Sequence, residues 1–558
     1  HTPIIFYEPD LALLKQIAMN IDLSEIVSAS NVHFAFDEEQ LVSLIQLHHH
    51  HETAPEVYAL PYYQKIFPES IGIISKAVQR ACALIAARLH TLKDKSRTVT
   101  INTLLNALEF VKYPDISQLK DKGKNLPALV IGAGPSLDYT ISSIKDNYHR
   151  CIIICVDVAA RALLKQGILP HFICTAETNN FSWKNIPSCE SVLVVTEDAN
   201  QNVYSIPMKK MIVLQSNHNC AAEVANFFST DTVTTNSTVS SVAFQLAIIL
   251  GGNPVILCGH DLSFVPGKYY SEKALDPDDS VIEKIRSLQK RNPLSLISHE
   301  RLLLDPIEGS FLTEEDRLHR INISNEEYNK YYSSEELIYM TRVIKKHQSS
   351  QKKGNIKILG IDGNMLDTEA AYLALAKWIE LEAGLYLSNK PTRKFYNISL
   401  GAVLKNFETV TPQLLSEFKE NAYDTMKALI ESWSFGEIAK LTDLKNLYQR
   451  EIKQNVLLLQ LLSHGKKSCK LLSKHKKDKA LFAKYYNELV SFHLRFNEII
   501  NKDGIFNYYY YKERSDLEQV LKNNTSDIEP GFTKFFETII PEAEKLSTLL
   551  KNLIEKLT

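Results

Sequence analysis

The stretch Gly132-Ala133-Gly134-Pro135-Ser136 has the residue types of a loop that holds a phosphate or a sugar. It directly follows Ala128–Ile131, an apolar run that is typical of a buried strand. The two glycines would let backbone N–H groups turn towards a ligand, and Pro135 suits the first turn of a helix whose N-terminus favours an anion. Leu137 stands where the dinucleotide fingerprint needs a third glycine. A tight turn without a ligand is the alternative interpretation.

Carboxylates follow the next two apolar runs along the chain. Asp157 ends the run CIIICVD and lies 25 residues after Gly132 (157 − 132), close to the distance at which nucleotide folds place an acid on a ribose. Glu177, followed by Thr178, could contact a base or a sugar. Capping of the next helix or turn is the alternative for both acids.

A second group of polar residues surrounds the predicted strand Val255–Cys258. Asn236, Ser237 and Thr238 precede an apolar helix, whose start offers hydroxyls and free N–H groups to a phosphate or a carboxylate. The strand itself leads to His260 and Asp261, which could act as a base and its orienting carboxylate. Adjacent residues rarely hydrogen-bond as such a pair, so a contact with the substrate is the favoured role.

Two further segments have charges or hydroxyls in a suggestive pattern. Lys268, Tyr269 and Tyr270 could donate to a departing phosphate, or they could form an ordinary surface loop. The run Lys466–Lys479 contains seven lysines and one acid, Asp478. A solvated helix face is its simpler interpretation, and a basic patch for an acidic partner or a membrane surface is the other.

Several well-known catalytic motifs are missing from the sequence. It contains no C-x-x-C, H-E-x-x-H, P-loop or G-x-S-x-G pattern. Metalloprotease, Walker-type ATPase and α/β-hydrolase functions therefore have no support.

The elements that must position these residues form an α/β pattern. The strands expected between residues 126 and 300 are Ala128–Ile131, Ile152–Val156, Phe172–Thr175, Val192–Thr196, Met211–Leu214 and Val255–Cys258. Because they are almost wholly apolar and alternate with helical stretches, they predict a parallel sheet covered on both faces. Ligands of such sheets bind at the carboxyl edge, where the polar residues above are found.

The chain is long enough for several domains. We predict a fold of the α/β class: a partial Rossmann-like α/β domain at 1–95, a helical linker at 96–125, a central Rossmann-like parallel sheet domain at 126–367 that binds the ligand, and an all-helical C-terminal domain at 368–558. The first residues resemble neither a signal peptide nor an initiator methionine, so we expect residues upstream of them.

Composition narrows the class of protein. The 558 residues have 45% apolar and 23% charged side chains and a net charge of −2, which is ordinary for a globular protein and gives no sign of nucleic-acid binding. No apolar run is long enough for a transmembrane segment. The eight cysteines form no C-x-x-C pair, and four lie in or beside apolar runs, so we expect reduced thiols and a cytoplasmic protein.

These motifs together resemble one family. IGAGPSLD, the strand ending in Asp157, GILPHF, and NSTVSSVAFQLAIILGGNPVILCGHDLSF occur in the order found in the motility accessory factor (Maf) glycosyltransferases. That family shares a domain with hydroxymethylpterin diphosphokinase-like proteins, and the domain is similar to bacterial sialyltransferases. The resemblance is strong over about 126–265, weaker over 1–60 and only architectural in the helical C-terminus.

The resemblance implies a reaction and its site. A nonulosonic acid, such as pseudaminic, legionaminic or a sialic-like acid, would pass from a CMP donor to Ser or Thr of flagellin in the cytoplasm, with no metal and no cofactor beyond the activated sugar. By the resemblance, the nucleotide-sugar would be held by Gly132, Gly134, Pro135, Ser136, Asp157, Asn236, Ser237 and Thr238, and Asp261 matches the strand-end acid. The residues themselves add Glu177 as a further contact with the nucleotide-sugar, and His260, Tyr269 and Tyr270 beside Asp261 as candidates for the chemistry.

The sequence departs from the family pattern at two histidines. His171 stands where the family usually has Asp, and His260 where Gln or Ile is usual. The general base is therefore open, with His299 and His319 as candidates. Two alternatives remain: a diphosphokinase acting on a pterin alcohol, with Mg²⁺ on Asp157, Glu177 and Asp261, and a noncatalytic flagellin-binding protein.

Overall fold

A computed structural model gives the fold over most of the chain. It describes residues 3–48, 55–59, 65–176, 178, 186–236, 238–264, 271, 274, 356–419, 421–432, 436, 438–523 and 528–557. The chain divides into two compact units, one made of residues 1–97 and 508–535, and the other of residues 98–507 and 536–558.

The strands and helices follow one another in an α/β order. The strands are β1 (Ile4–Tyr7), β2 (Val32–Ala35), β3 (Ala128–Ile131), β4 (Ile152–Val156), β5 (Phe172–Thr175), β6 (Val192–Thr196), β7 (Lys209–Val213), β8 (Val255–Cys258), β9 (Ile356–Leu359), β10 (Met365–Thr368), β11 (Phe395–Asn397) and β12 (Glu408–Thr409). The helices are α1 (Leu11–Asn20), α2 (Ser24–Ser28), α3 (Glu38–His48), α4 (Pro68–Asn106), α5 (Leu137–Asn147), α6 (Asp157–Lys165), α7 (Asn219–Phe228), α8 (Val239–Ile249), α9 (Ala370–Asn389), α10 (Ala422–Ser432), α11 (Leu441–Lys474), α12 (Lys479–Lys502), α13 (Gly504–Tyr509), α14 (Tyr511–Asn523) and α15 (Glu529–Glu555).

The larger unit is built on an eight-stranded sheet. Its strand order is β12-β11-β8-β3-β4-β5-β6-β7, and every pairing is parallel. Strands β3 to β7 progress in one direction, whereas β8 lies on the other side of β3. The order therefore reverses between β3 and β8, which is the place where open α/β sheets bind their ligands.

Apolar sequence explains why these strands lie in the interior. Strands β3, β4, β5, β6 and β8 are buried along their whole length. Helix α8 is apolar on nearly all sides, is buried over most of its length, and packs on β3, β4 and β5. The six strands predicted for this region and the α/β fold class are thus confirmed.

Two strands of this sheet were not predicted. Strands β11 and β12 contain three and two residues and come from the stretch that the sequence assigned to a wholly helical domain. Strands this short have no recognisable periodicity, so tertiary pairing alone reveals them. Strand β9 pairs with β10 in a separate antiparallel hairpin outside this sheet.

The C-terminal helices of this unit pack closely on one another and on α7. A Cβ at Gly465 of α11 would come within 2.7 Å of Phe492 and 2.6 Å of Phe536, so this position needs glycine. Arg450 of α11 donates to Glu451 at 2.6 Å and forms an ion pair with Glu223 of α7 at 2.8 Å. The ion pair with Glu223 joins α11 to α7 of the sheet domain.

The smaller unit has its own core. Strands β1 and β2 pair in parallel, and residues of β2, α3 and α4 bury a cluster that includes Ala35, Leu41, Ile45, Ala81 and Ile85. Tyr511 packs against this cluster, and Tyr509 and Tyr510 are buried, so these tyrosines serve packing. Among the helices that the structure describes, none combines the length and apolar character that a bilayer crossing requires.

Candidate functional site

The loop after β3 and the end of β8 lie against each other at the point where the strand order reverses. The Gly132 N–H donates to the Cys258 carbonyl at 2.7 Å, and the Gly134 N–H donates to the Gly259 carbonyl at 2.8 Å. The Ser136 N–H donates to Asp261 Oδ2 at 2.9 Å. The glycine loop is therefore continuous with the end of β8.

In the structure the two loop glycines are needed for close packing against the end of β8, a role that the sequence did not predict. A Cβ at Gly132 would lie 2.5 Å from the Gly259 carbonyl oxygen, and a Cβ at Gly134 would lie 2.3 Å from Asp261 Oδ2. The absence of a side chain allows two strand ends to approach, and the N–H groups point at protein acceptors rather than at a ligand. That Gly132, Gly134, Pro135 and Ser136 also contact a nucleotide stays a prediction.

Asp261 is a buried carboxylate that ties three loops together. Besides Ser136, its Oδ1 accepts the Leu400 N–H at 3.2 Å, and its backbone carbonyl accepts the Ala402 N–H at 2.8 Å. Burial raises the pKa of Asp261, and the two backbone N–H groups oppose that rise. Such a side chain positions the site, and a direct contact with substrate would need it to exchange these partners.

His260 is buried beside Asp261 but does not bond to it. Its Nδ1 lies 3.0 Å from the Cys258 carbonyl oxygen and, as an N–H, donates to it, while its backbone N–H donates to Ser399 Oγ at 3.0 Å. Burial lowers the pKa of His260 to about 4, so the ring is neutral at physiological pH. His260 and Asp261 therefore do not form a hydrogen-bonded pair of base and orienting carboxylate, as the sequence led us to expect.

Asp157 lies at the carboxyl end of β4, the strand next to β3. Its Oδ2 accepts the Thr175 hydroxyl at 2.7 Å and its Oδ1 accepts the Val158 N–H at 2.8 Å. The side chain is only partly buried. An acid on the second strand beside a glycine loop is where nucleotide folds contact the ribose, so the geometry supports that prediction. The alternative that Asp157 caps α6 is wrong, because the N-cap of this helix is Val156 and Asp157 is its first residue.

Three of the helices that begin at this edge of the sheet, α5, α6 and α8, differ in the charge at their N-termini. Helices α5 and α6 have Asp138 and Asp157 in their first turns, which already offset the positive ends of the helix dipoles. Helix α8 has no acidic residue in its first turn, and its cap is the Thr238 hydroxyl, which accepts the Ser241 N–H at 3.2 Å. Of the three, α8 is the one whose start favours an anion.

A buried polar network lies beside the start of α8, at the ends of β6 and β7. The His218 Nδ1 donates to Glu197 Oε1 at 2.7 Å, and the Gln215 N–H donates to Glu197 Oε2 at 3.1 Å. The Gln215 side chain bonds Asp198 at 3.2 Å and accepts the Thr235 hydroxyl at 2.8 Å. Gln215 and Thr235 thus connect the acid–histidine pair to the segment that precedes Thr238.

The acid–histidine pair can hold and release a proton. Burial raises the pKa of Glu197, and its bond from His218 opposes the rise. For His218, burial would lower the pKa, but the hydrogen bond and charge of Glu197 outweigh it, so the pKa lies above its usual value. An imidazole oriented by a carboxylate is a common general acid–base pair in enzymes.

None of Glu197, Asp198, Gln215 and His218 was predicted as a site residue from the sequence. The sequence carries only a weak signal for this network: two adjacent acids follow β6, and a histidine lies a few residues after β7. Within the described residues, ligand atoms of Glu197, Asp198 and His218 lie within 4.8 Å of one another and could hold a metal ion. This set differs from the Asp157, Glu177 and Asp261 set proposed for a diphosphokinase.

Some predicted site residues cannot be placed. Glu177, Ser237, Tyr269 and Tyr270 lie outside the described residues, as do Lys268, His299 and His319. Asn236 is described: its N–H donates to Ser241 Oγ at 2.9 Å, next to the start of α8.

His171 belongs to the opposite edge of the sheet. Its Nδ1 accepts the Ile153 N–H at 3.0 Å, and its Nε2 lies 2.9 Å from the Tyr423 carbonyl of α10. Burial lowers the pKa of His171 to about 4. A cavity of about 710 Å³ lies at this amino edge and is lined in part by His171, Lys210 and Tyr423. The family departure at His171 is therefore a packing feature remote from the carboxyl edge.

Comparisons with known proteins agree with this fold. Residues 101–267 match the family model described as 6-hydroxymethylpterin diphosphokinase MptE-like. The solved structure of the Maf glycosyltransferase from Magnetospirillum magneticum AMB-1 is similar, with a TM-score of 0.50 and 15% identity over 100% of this chain and 74% of that one. No curated protein sequence matches significantly. The domain and the fold thus confirm the resemblance that the motifs indicated.

Proposed function

We propose that this chain is a glycosyltransferase that moves a nonulosonic acid from a CMP donor to Ser or Thr hydroxyls of flagellin. The single observation that carries the proposal is the carboxyl edge of the sheet, where the glycine loop, Asp157 and the start of α8 occur together at the reversal of strand order. The fold of the Magnetospirillum glycosyltransferase supports the same class of reaction.

Each part of the edge has a role in this proposal. Asp157 contacts the ribose of CMP, and the loop Gly132–Ser136 forms the adjoining wall. The first N–H groups of α8, with Asn236, receive the phosphate, because this helix start has no carboxylate of its own. The aromatic hydroxyls of Tyr269 and Tyr270 remain proposed donors to the departing phosphate.

The transfer needs one proton acceptor. The acceptor hydroxyl oxygen forms a bond to the anomeric carbon of the sugar, the bond from that carbon to the phosphate oxygen breaks, and CMP leaves with the electron pair. The hydroxyl proton passes to a base, for which His218 with Glu197 is the described candidate, beside His299 and His319. In this proposal no metal takes part, as in the sialyltransferases that the sequence resembles.

The cytoplasm is the proposed site of the reaction. All eight cysteines are free thiols, and burial raises the pKa of several of them, Cys151, Cys155 and Cys174 among them. Unpaired cysteines that pack as small apolar residues are usual in a reducing compartment, which supports this location.

The test is the intact mass of flagellin produced together with this chain in cells that make a CMP-activated nonulosonic acid. We expect added mass in multiples of the sugar residue, and a loss of at least about tenfold in transfer with Asp157→Asn. Asp146→Asn is the matched control, because Asp146 is exposed near the far end of α5. Unmodified flagellin despite a supplied donor would contradict the proposal.

The alternatives predict other results in the same system. A diphosphokinase would convert a pterin alcohol and ATP with Mg²⁺ into the diphosphate ester and AMP. A noncatalytic flagellin-binding protein would bind CMP or flagellin without changing the mass of either. The buried, backbone-bonded state of Asp261 argues against its use as a Mg²⁺ ligand and so against the first alternative.

A further inference from the structure

The turn between α11 and α12 carries the densest group of like charges in the described chain. We call this group the lysine tip, and it consists of Lys466, Lys467, Lys470, Lys474, Lys476, Lys477 and Lys479. Except for Lys466, which is half-buried, these lysines are exposed. The chain as a whole has a net charge of −2, so the positive charge is local.

The tip has almost no acid to neutralise it. Asp478 is the only acid between Lys466 and Lys479, and its carboxylate accepts the Ala480 and Leu481 N–H groups at 3.0 and 3.1 Å as the cap of α12. Within the described part of the chain, Lys467, Lys470 and Lys474 form no ion pair with a carboxylate. Besides Asp478, Glu488 of α12 reaches this end, where its carboxylate accepts the Ser468 hydroxyl at 2.6 Å. The seven lysines of the tip still outnumber these acids, so the end of the hairpin has a net positive charge.

The lysines are held on one side by the packing of α11. Lys466, Lys470 and Lys474 repeat every four residues and so share a helix face. Gly465, Cys469 and Leu472 are buried on the inner side. The inner contacts fix the rotation of the helix, so the lysine face stays directed at solvent and is not a mobile tail.

Aromatic rings accompany the charges at the start of α12. His475 stacks on Tyr485 with ring centroids 5.9 Å apart, and Phe482 stacks on Tyr486 at 6.3 Å. The four rings are half-buried, so each keeps an edge at the surface. Lysines next to partly exposed aromatic rings are the composition of segments that lie at a membrane interface.

We propose that the lysine tip binds the surface of a membrane rich in anionic lipid headgroups. A turn between two antiparallel helices is a convex end, so several of its lysines can meet a flat charged surface at once. The tip contains lysine and no arginine, which favours a diffuse electrostatic contact over the bidentate recognition of single phosphates or carboxylates. The inference is independent of the reaction proposed above.

The test compares vesicles of phosphatidylcholine alone with vesicles in which phosphatidylglycerol replaces part of it. The whole chain should float with the phosphatidylglycerol vesicles at low salt, and binding should weaken at physiological salt of about 0.15 M. The combined variant Lys467→Glu, Lys470→Glu, Lys474→Glu and Lys477→Glu should bind these vesicles at least about a hundredfold more weakly. Each lysine near an anionic surface contributes to the binding free energy, and each glutamate is repelled by that surface.

The control variant carries the same change of charge elsewhere on the larger unit: Lys120→Glu, Lys390→Glu, Lys405→Glu and Lys419→Glu, all at exposed lysines. It should bind the vesicles nearly as well as the parent chain. Equal binding to both kinds of vesicle, or an equal loss in both variants, would overturn the proposal. Tip-dependent binding to polyglutamate or to single-stranded DNA that is tighter than to the vesicles would also overturn it, in favour of a macromolecular partner.

Discussion

Two buried histidines at the same edge of the sheet have opposite electrostatic surroundings. His260, at the end of β8, is neutral because burial lowers its pKa to about 4. His218, past the end of β7, has a raised pKa because Glu197 outweighs the effect of burial. Burial is similar in both places, so the difference comes from the partner: a carbonyl oxygen for one and a carboxylate for the other.

The neighbouring carboxylates differ in the same way. Asp261 accepts two backbone N–H groups, whose positions are fixed by the loops. Glu197 accepts a backbone N–H on one oxygen and an ionisable ring on the other. The polar groups of the β3–β8 region thus stabilise the loop conformation, whereas those of the β6–β7 region can bind and release a proton. Substitutions in the two regions should therefore have different effects.

Gly134→Ala should damage the β3–β8 region most. Its Cβ would lie 2.3 Å from Asp261 Oδ2 and 2.7 Å from the Gly259 carbonyl oxygen, so the loop must separate from the end of β8. We expect the free energy of opening of the β3 amides, measured by hydrogen exchange, to fall by about 3 kcal/mol or more. Gly72→Ala is the control, because no atom lies within 4 Å of that Cβ. Unchanged protection of the β3 amides in Gly134→Ala would contradict the structural role that we assign to the β3–β8 region.

Asp261→Asn should cost more than Glu197→Gln. At Asp261 an amide turns an NH₂ group towards a backbone N–H, which leaves a buried donor without an acceptor and costs about 2–3 kcal/mol. At Glu197 the amide oxygen can face the Gln215 N–H while the NH₂ faces His218, whose ring can change tautomer, for a cost of about 1 kcal/mol. Chemical denaturation of the two variants under the same conditions measures the difference. Equal costs would mean that Glu197, too, serves only structure.

His260→Gln should reduce the acid sensitivity of the fold. Because the folded pKa of His260 is about 4 and the ordinary value is 6.5, the unfolded chain binds a proton in that window that the folded chain does not. Stability therefore falls as pH drops from about 6.5 to 4, and at pH 5 this group accounts for about 1–2 kcal/mol. The variant should lose that much less between pH 7 and pH 5 in denaturation experiments. An unchanged acid sensitivity would show that His260 is protonated in the folded chain.

Glu197→Gln should reverse the direction of the pKa shift at His218. Without the carboxylate, burial acts unopposed, and the pKa should fall from above its usual value to below it. Nuclear magnetic resonance of histidine-labelled protein across pH measures this directly, with His171 as an internal reference that stays low. A His218 pKa that remains raised would assign its charge to a partner other than Glu197.

The sequence predicts the central sheet well because its strands are continuous apolar runs separated by helices. Ala128–Ile131 and Val255–Cys258 have the same bounds in the structure as in the sequence analysis. Strands β11 and β12 escaped prediction because two or three residues carry no period. The pairing of β11 with β8, and of β12 with β11, is specified by contacts far along the chain.

The site was harder to read from sequence than the fold. The glycine loop was recognised, but the need for its glycines comes from Gly259 and Asp261, more than a hundred residues later. The pair of Glu197 and His218 was missed because its two members belong to different strand ends, and only the parallel pairing of β6 and β7 brings them together. Residue types indicate which side chains could form a site, but the topology of the sheet determines which of them come into contact.

The most direct test of the account is calorimetric titration with CMP, in the presence and absence of Mg²⁺, with ATP as the competing ligand. CMP should bind without Mg²⁺, Asp157→Asn should weaken this binding by about tenfold or more, and Asp146→Asn should leave it unchanged. Binding of ATP with Mg²⁺ but not of CMP, or an affinity for CMP that is unaffected by Asp157→Asn, would contradict it.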